Sequence, residues 1–90
     1  LSAFIDVWIN CPSGDVARAI GRACLEARLA ACANVFGPID SLYWWNGSIE
    51  QAGETPLLLK SRRDLFEPLS ALVASLHPYK TPGLVAVEIA

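Results

Sequence analysis

The sequence predicts one α+β domain of βαββαβ order, with an antiparallel sheet and both helices on one of its faces. Three observations predict it. Apolar runs rich in β-formers lie at both ends and in the middle of the chain. Two stretches between them carry apolar residues at helical spacing, and an Asn46-Gly47 pair sits between aromatic and β-branched residues. With 90 residues, the chain is long enough for one domain and too short for two.

Ala3 to Asn10 opens the chain with Phe4, Ile5, Val7, Trp8 and Ile9. Both of its faces are apolar, so it reads as a strand covered on both sides. Cys11-Pro12-Ser13-Gly14-Asp15 reads as a turn, with Ser13 or Asp15 as the helix N-cap. The first helix is expected over Val16 to Ala31. Val16, Ile20, Ala23, Cys24 and Ala27 form its stripe, and Arg22 and Glu26 are four residues apart outside it. Cys32 to Trp45 reads as a long strand that bends or bulges at Gly37-Pro38.

Asn46-Gly47 then calls for a type I′ hairpin turn, because both central residues need positive φ. The return strand runs from about Ser48 to Ser61. Gly53 suggests a second bulge, and Pro56, lacking an N–H, should face an edge or a break. Asp64 and Glu67 resemble a capping box opening the second helix, with Pro68 in its first turn. Leu65, Leu69, Leu72, Val73 and Leu76 supply its apolar stripe. A stiff loop, His77-Pro78-Tyr79-Lys80-Thr81-Pro82-Gly83, leads to a last apolar strand over Leu84 to Ala90. With right-handed crossovers the order folds as a ferredoxin-like sheet. The long central hairpin is expected to reach beyond the body of the domain and pair with a neighbouring subunit.

Composition narrows the function. Apolar residues make up 53% of the chain and charged residues only 18%, an excess that a small domain uses most simply at a subunit interface. The net charge is −2, and Arg62-Arg63 is the longest basic run, which argues against nucleic-acid binding. No apolar run reaches the ~20 residues of a membrane span, and the N-terminal residues lack the pattern of a signal peptide. The chain starts without Met and ends in an apolar stretch, so a segment beyond either end is expected. Cys11, Cys24 and Cys32 are odd in number and widely spaced, which points to a reducing compartment and a cytoplasmic location.

Catalysis finds little support. The one histidine, His77, ends the second helix, where a cation suits the dipole. A Cys11–His77 hydrolase or transferase is the least favoured reading, and no enzyme is expected. No phosphate-binding glycine loop or paired carboxylates are present. Soft thiolates and imidazole suit copper. Cys11 and Cys32 should lie at different edges of the sheet, so a site using both would form across subunits. Cys24 and Cys32 also read as small buried hydrophobes, with Cys11, in its turn, the more reactive thiol. Trp44 and Trp45 alternate across the strand, one expected in the core and one at an interface, with a ligand-stacking role also open.

Several segments together resemble the CutA divalent-cation-tolerance family. They are Cys11-Pro12, the run Glu26 to Asn34, the run Ser41 to Glu50, Leu59-Lys60-Ser61, and His77 to Pro82. Each is weak alone, but their order and spacing cover nearly the whole chain. The resemblance implies a ferredoxin-like domain over residues 1–90, assembled as a homotrimer through its hairpin strands. It implies a response to divalent metal ions, copper above all, without catalysis. Cys11, Cys32 and His77 would then be metal contacts. The alternative it implies is a PII-like signal-transducing or scaffold trimer. Glu50, Lys60, Tyr79 and Trp44 would line its inter-subunit clefts for a small anionic effector or partner protein, and Tyr43, Trp45, Asn46 and Gly47 would form the interface. Three departures are visible: Gly83 stands where the family often has Glu, Pro56 interrupts a strand that usually pairs cleanly, and the family's final helix is absent from this chain.

Overall fold

A computed structural model describes residues 3–89. The elements run β1 (Phe4–Cys11), α1 (Gly14–Glu26), β2 (Cys32–Val35), β3 (Ile39–Trp45), β4 (Ser48–Arg62), α2 (Phe66–Leu76) and β5 (Leu84–Glu88). A 3₁₀ turn over Arg63–Leu65 joins β4 to α2. Ala90, assigned from sequence to the last strand, lies outside the described residues, as do Leu1 and Ser2.

The sheet has the order β2-β4-β1-β5, with β3 pairing the first half of β4. All its pairings are antiparallel. β1 and β2 flank β4 and run parallel, one strand apart, as a crossover through α1 requires. On one face Ile5, Val7, Ile9 and Cys11 of β1 stand beside Leu57 and Leu59 of β4. Ala17, Ile20 and Cys24 of α1 and Leu69 and Val73 of α2 close over them. On the other face lie Asp6, Trp8, Lys60 and Cys32, where the Phe36 ring packs against Trp8 with centroids 5.3 Å apart and no described helix lies.

Ser13 caps α1 as expected, its Oγ accepting from the Val16 N–H at 3.2 Å. Arg22 and Glu26 approach to 3.9 Å. The helix ends earlier than its periodicity suggested. Arg28 turns to φ 62°, while the Leu29 N–H donates to the Cys24 carbonyl and the Arg28 N–H to Leu25. This pair of bonds is a Schellman closure, with arginine where glycine is usual. Ala27, placed in the stripe from sequence, is exposed.

The capping box at Asp64 is also corrected. Asp64 pairs with Arg62 through both oxygens, at 3.1 and 2.6 Å, and α2 starts after the 3₁₀ turn with no side-chain cap. The bulge falls at one of the two expected places. Val35 faces Leu57 and Ile39 faces Glu54, so three residues on one strand span two on the other across Phe36–Pro38. Gly53 stays in register opposite Asp40. Pro56 lies beside this break, its carbonyl accepting from the Phe36 N–H at 3.0 Å. Its missing donor falls where the ladder is already interrupted.

The hairpin projects. Asn46 and Gly47 have φ of 50° and 81°, as a type I′ turn demands. Trp44 and Trp45 face opposite sides, but neither enters the core: they are 72% and 59% exposed.

Candidate functional site

Residues from three elements meet where β1 ends. Cys11 closes β1 opposite Thr55, which places it one residue from Glu54 across the ladder. The C-terminal end of α2 delivers His77, and Tyr79 follows two residues later. The Tyr79 hydroxyl donates to Glu54 Oε2 at 3.0 Å. His77 Nδ1 accepts from the Tyr79 N–H at 3.1 Å, and Nε2 lies 2.9 Å from the Asn10 carbonyl. A backbone N–H can only donate and a carbonyl only accept, so the bonds fix the tautomer with the proton on Nε2. The two rings stack obliquely, with centroids 4.6 Å apart. Glu54, absent from the residues singled out by sequence, is 9% exposed. Its one signal was a lone acid entering a run of apolar β-formers.

Both acidic hydrogens near Glu54 are held tightly. Burial, then the negative charge of Glu54, pushes the Cys11 thiol up to about 11. Burial first, then the hydrogen bond to Glu54 and the charge of that carboxylate, pushes the Tyr79 phenol up to about 12. Burial also raises the Cys24 thiol. Cys11 is therefore no reactive turn residue. It ends a strand with no exposed surface and keeps its proton at neutral pH, the opposite of an activated nucleophile. His77 is a buried helix end rather than an exposed cation at the dipole, and both ring nitrogens face backbone groups. The Cys11–His77 pairing needed for thiol catalysis is thus not formed.

Beside Glu54 and Thr55 a cleft of about 470 Å³ opens toward Gly14, Arg18 and Phe36. Arg18 reaches Asp15 at 2.6 Å at its mouth.

The other expected residues do not gather here. Cys32 lies opposite Lys60, and Cys11 opposite Thr55. Those positions are five residue steps apart along β4, about 17 Å at ~3.3 Å per residue. Cys32 is half-buried on the uncovered sheet face, its Sγ 3.8 Å from Asn34 Oδ1. Trp44 and Glu50 lie on the hairpin, and Lys60 lies at the far end of β4 from Tyr79, so one chain forms no cleft from Glu50, Lys60, Tyr79 and Trp44. Tyr43, Trp45, Asn46 and Gly47 are all exposed at the hairpin end.

The donor set does not fit a metal within one chain. Among the described residues no three His, Cys, Asp or Glu side chains converge. His77 offers no free nitrogen, and Cys11 is sealed and protonated. Only Cys32 presents sulfur to solvent.

Residues 5–90 match the family model of the CutA1 divalent ion tolerance protein. The chain belongs to that family. It is 43% identical over 84 residues to the divalent-cation tolerance protein CutA of Thermus thermophilus, covering 93% of this chain and 82% of that one. It is 38% identical over 81 residues to the CutA homologue of Danio rerio, covering 90% of this chain but 54% of that protein. It thus spans about half the length of the vertebrate relatives. The solved Thermus CutA1 structure superposes with a TM-score of 0.95 at 41% identity, over 97% of this chain and 84% of that one. The Archaeoglobus fulgidus protein, described as a periplasmic divalent cation tolerance protein, gives 0.92 at 38% identity, over 96% and 83%. These likenesses establish the ferredoxin-like fold of the family.

Proposed function

We propose that the protein is a non-catalytic homotrimer serving divalent-cation tolerance, with a soft ion such as copper held at Cys32 between subunits. The observation that carries this reading is the position of Cys32, the one thiol both partly accessible and set on the uncovered face of the sheet. A lone thiolate holds copper weakly, and symmetry-related copies supply the further sulfur ligands that Cu(I) prefers. The hairpin supports the assembly. A two-stranded ribbon is marginal in water by itself, and this one exposes Leu42 (71%), Trp44 (72%) and Ile49 (61%) on the same face. Three free cysteines suit a reducing compartment, hence the cytoplasm.

The test is a Cu(I) and Cu(II) titration of the reduced oligomer beside its Cys32→Ser and His77→Ala variants. Saturable binding at a fixed ratio per subunit, lost with Cys32→Ser and kept with His77→Ala, is the expected result. An intact trimer without saturable binding would sink the metal reading. It would favour an effector-sensing trimer instead, a reading supported by the Glu54-lined cleft of about 470 Å³.

A further inference from the structure

Glu54 is 9% exposed, yet none of the ion pairs among the described residues includes it. The one hydrogen bond its carboxylate accepts among those residues comes from the neutral Tyr79 hydroxyl, to Oε2. A carboxylate withdrawn from water without a counter-charge is costly to keep, which marks its position as a candidate site for a cation. Its negative charge is felt nearby, where it helps to hold the protons of Cys11 and Tyr79.

The free oxygen can be placed. Among the described residues, the side-chain oxygen that is both sealed from water and without a partner is Asp6 Oδ1. Glu54 Oε1 accepts no hydrogen bond, so it still meets solvent. The solvent space that Glu54 lines is the cleft of about 470 Å³. The positive groups on the helix wall of that cleft are already answered. Arg18 gives its guanidinium to Asp15 at 2.6 Å, and Ser13 Oγ takes the Val16 N–H at the start of α1. One uncompensated negative charge is left, beside the apolar side chains of Pro12, Val35, Phe36 and Pro38. An anion would meet like charge there, and a neutral molecule would leave the carboxylate unmatched. A bare metal ion would lack ligands, since no three His, Cys, Asp or Glu side chains converge among the described residues.

We propose that this cleft binds a small organic cation, a primary ammonium group on a compact apolar body, with the ammonium donating to Glu54 Oε1. The inference rests on the effector reading of the same cleft and names its ligand class. It reverses the charge expected of the effector from sequence, and it is independent of copper at Cys32.

Amide chemical shifts of the intact, ¹⁵N-labelled oligomer test it, with isopentylammonium as the probe and isopentyl alcohol and isovalerate as comparators of matched size. Isopentylammonium should give saturable shifts centred on Gly53, Glu54 and Thr55, with the alcohol and the carboxylate at least about fivefold weaker. Glu54→Gln keeps an acceptor for Tyr79 but no charge, and should lose about tenfold in ammonium affinity. The comparison of probes in the unaltered protein stands even if that variant fails to assemble, because charge alone separates them. Equal binding of the alcohol, unchanged affinity in Glu54→Gln, or shifts centred on the hairpin residues Leu42, Trp44 and Ile49 would overturn the proposal. Tighter binding of isovalerate at the same amides would also overturn it, while leaving an effector reading with an anion. No saturable shift with any probe would overturn it and remove this cleft from the effector reading.

Discussion

Arg28 occupies a conformation that costs a residue with a Cβ about 1–2 kcal/mol and costs glycine nothing. Nothing in its side chain announced this, since arginine is a good helix former and the apolar spacing ran on past it. Arg28→Gly should therefore raise stability by about 1 kcal/mol, seen as a higher urea midpoint at unchanged slope. A lower midpoint would mean that the side chain contributes more than the strain removes. The protons beside Glu54 give a second test. The folded chain holds the Cys11 proton up to about 11 against an ordinary 9.0, and the Tyr79 proton up to about 12 against 10.0. Below about pH 9 both groups are protonated in either state, so that stability is fully present. As pH rises through the folded values the unfolded chain releases protons more readily, and stability is lost. The urea midpoint should fall between about pH 9 and pH 12, and in Cys11→Ala the fall should be shallower from about pH 9, because the buried Cys24 thiol, also raised by burial, still contributes there. An identical profile in that variant would remove Cys11 from the account.

At the scale of elements, α1 meets the sheet through a glycine. A Cβ on Gly21 would stand 3.1 Å from the Ala33 Cβ and 3.3 Å from Leu57 Cδ1. Its absence lets the helix settle onto β2 and β4, despite the roughly 1 kcal/mol that glycine costs a helix interior. Gly21→Val should destabilise the fold by about 2 kcal/mol through overpacking, measurable by urea unfolding. A cost under about 0.5 kcal/mol would show that the contact relaxes freely. The stripe read from sequence passed over Gly21 because periodicity counts apolar side chains, and the contact here is made by the lack of one. The hairpin turn was the most legible element. Its two left-handed residues, Asn46 and Gly47, are types that accept positive φ at low cost. The start of α2 was misread because Asp64 had a nearer and stronger partner in Arg62 than any free backbone N–H.

For the whole molecule the open question is what covers the second face and the hairpin. Leu42, Trp44 and Ile49 on one side of the ribbon, and Tyr43 and Trp45 on the other, leave both sides of a two-stranded element apolar. If neighbouring copies cover them, deleting the ribbon end around Asn46-Gly47 should produce aggregation, because the unpaired edges and apolar face lose their partner. Size-exclusion chromatography with light scattering reads the outcome. A well-behaved monomer from that deletion would overturn the trimer. The sequence also placed Glu50, Lys60, Tyr79 and Trp44 together, by family position. The register spreads them along β4 and its hairpin, so only an assembly can join them.

Local chemistry settled the order of elements, the Ser13 cap, the hairpin and the break at Gly37-Pro38, because each depends on neighbours within a few residues. The strand β1, read as covered on both sides, is covered by the helices on one face only, since Asp6 and Trp8 lie on the face away from them and only Ile5, Val7, Ile9 and Cys11 enter the core. The sequence alone did not show that Glu54, Cys11, His77 and Tyr79 share one network, nor that Glu54 lines a cleft beside the start of α1. Those residues are separated along the chain, and they meet only through the register of β4 with its neighbours and the closure of α1 and α2 upon it. The protonation of Cys11 follows the same logic: a thiol in a Cys-Pro turn motif looks reactive until the strands and helices around it exclude water.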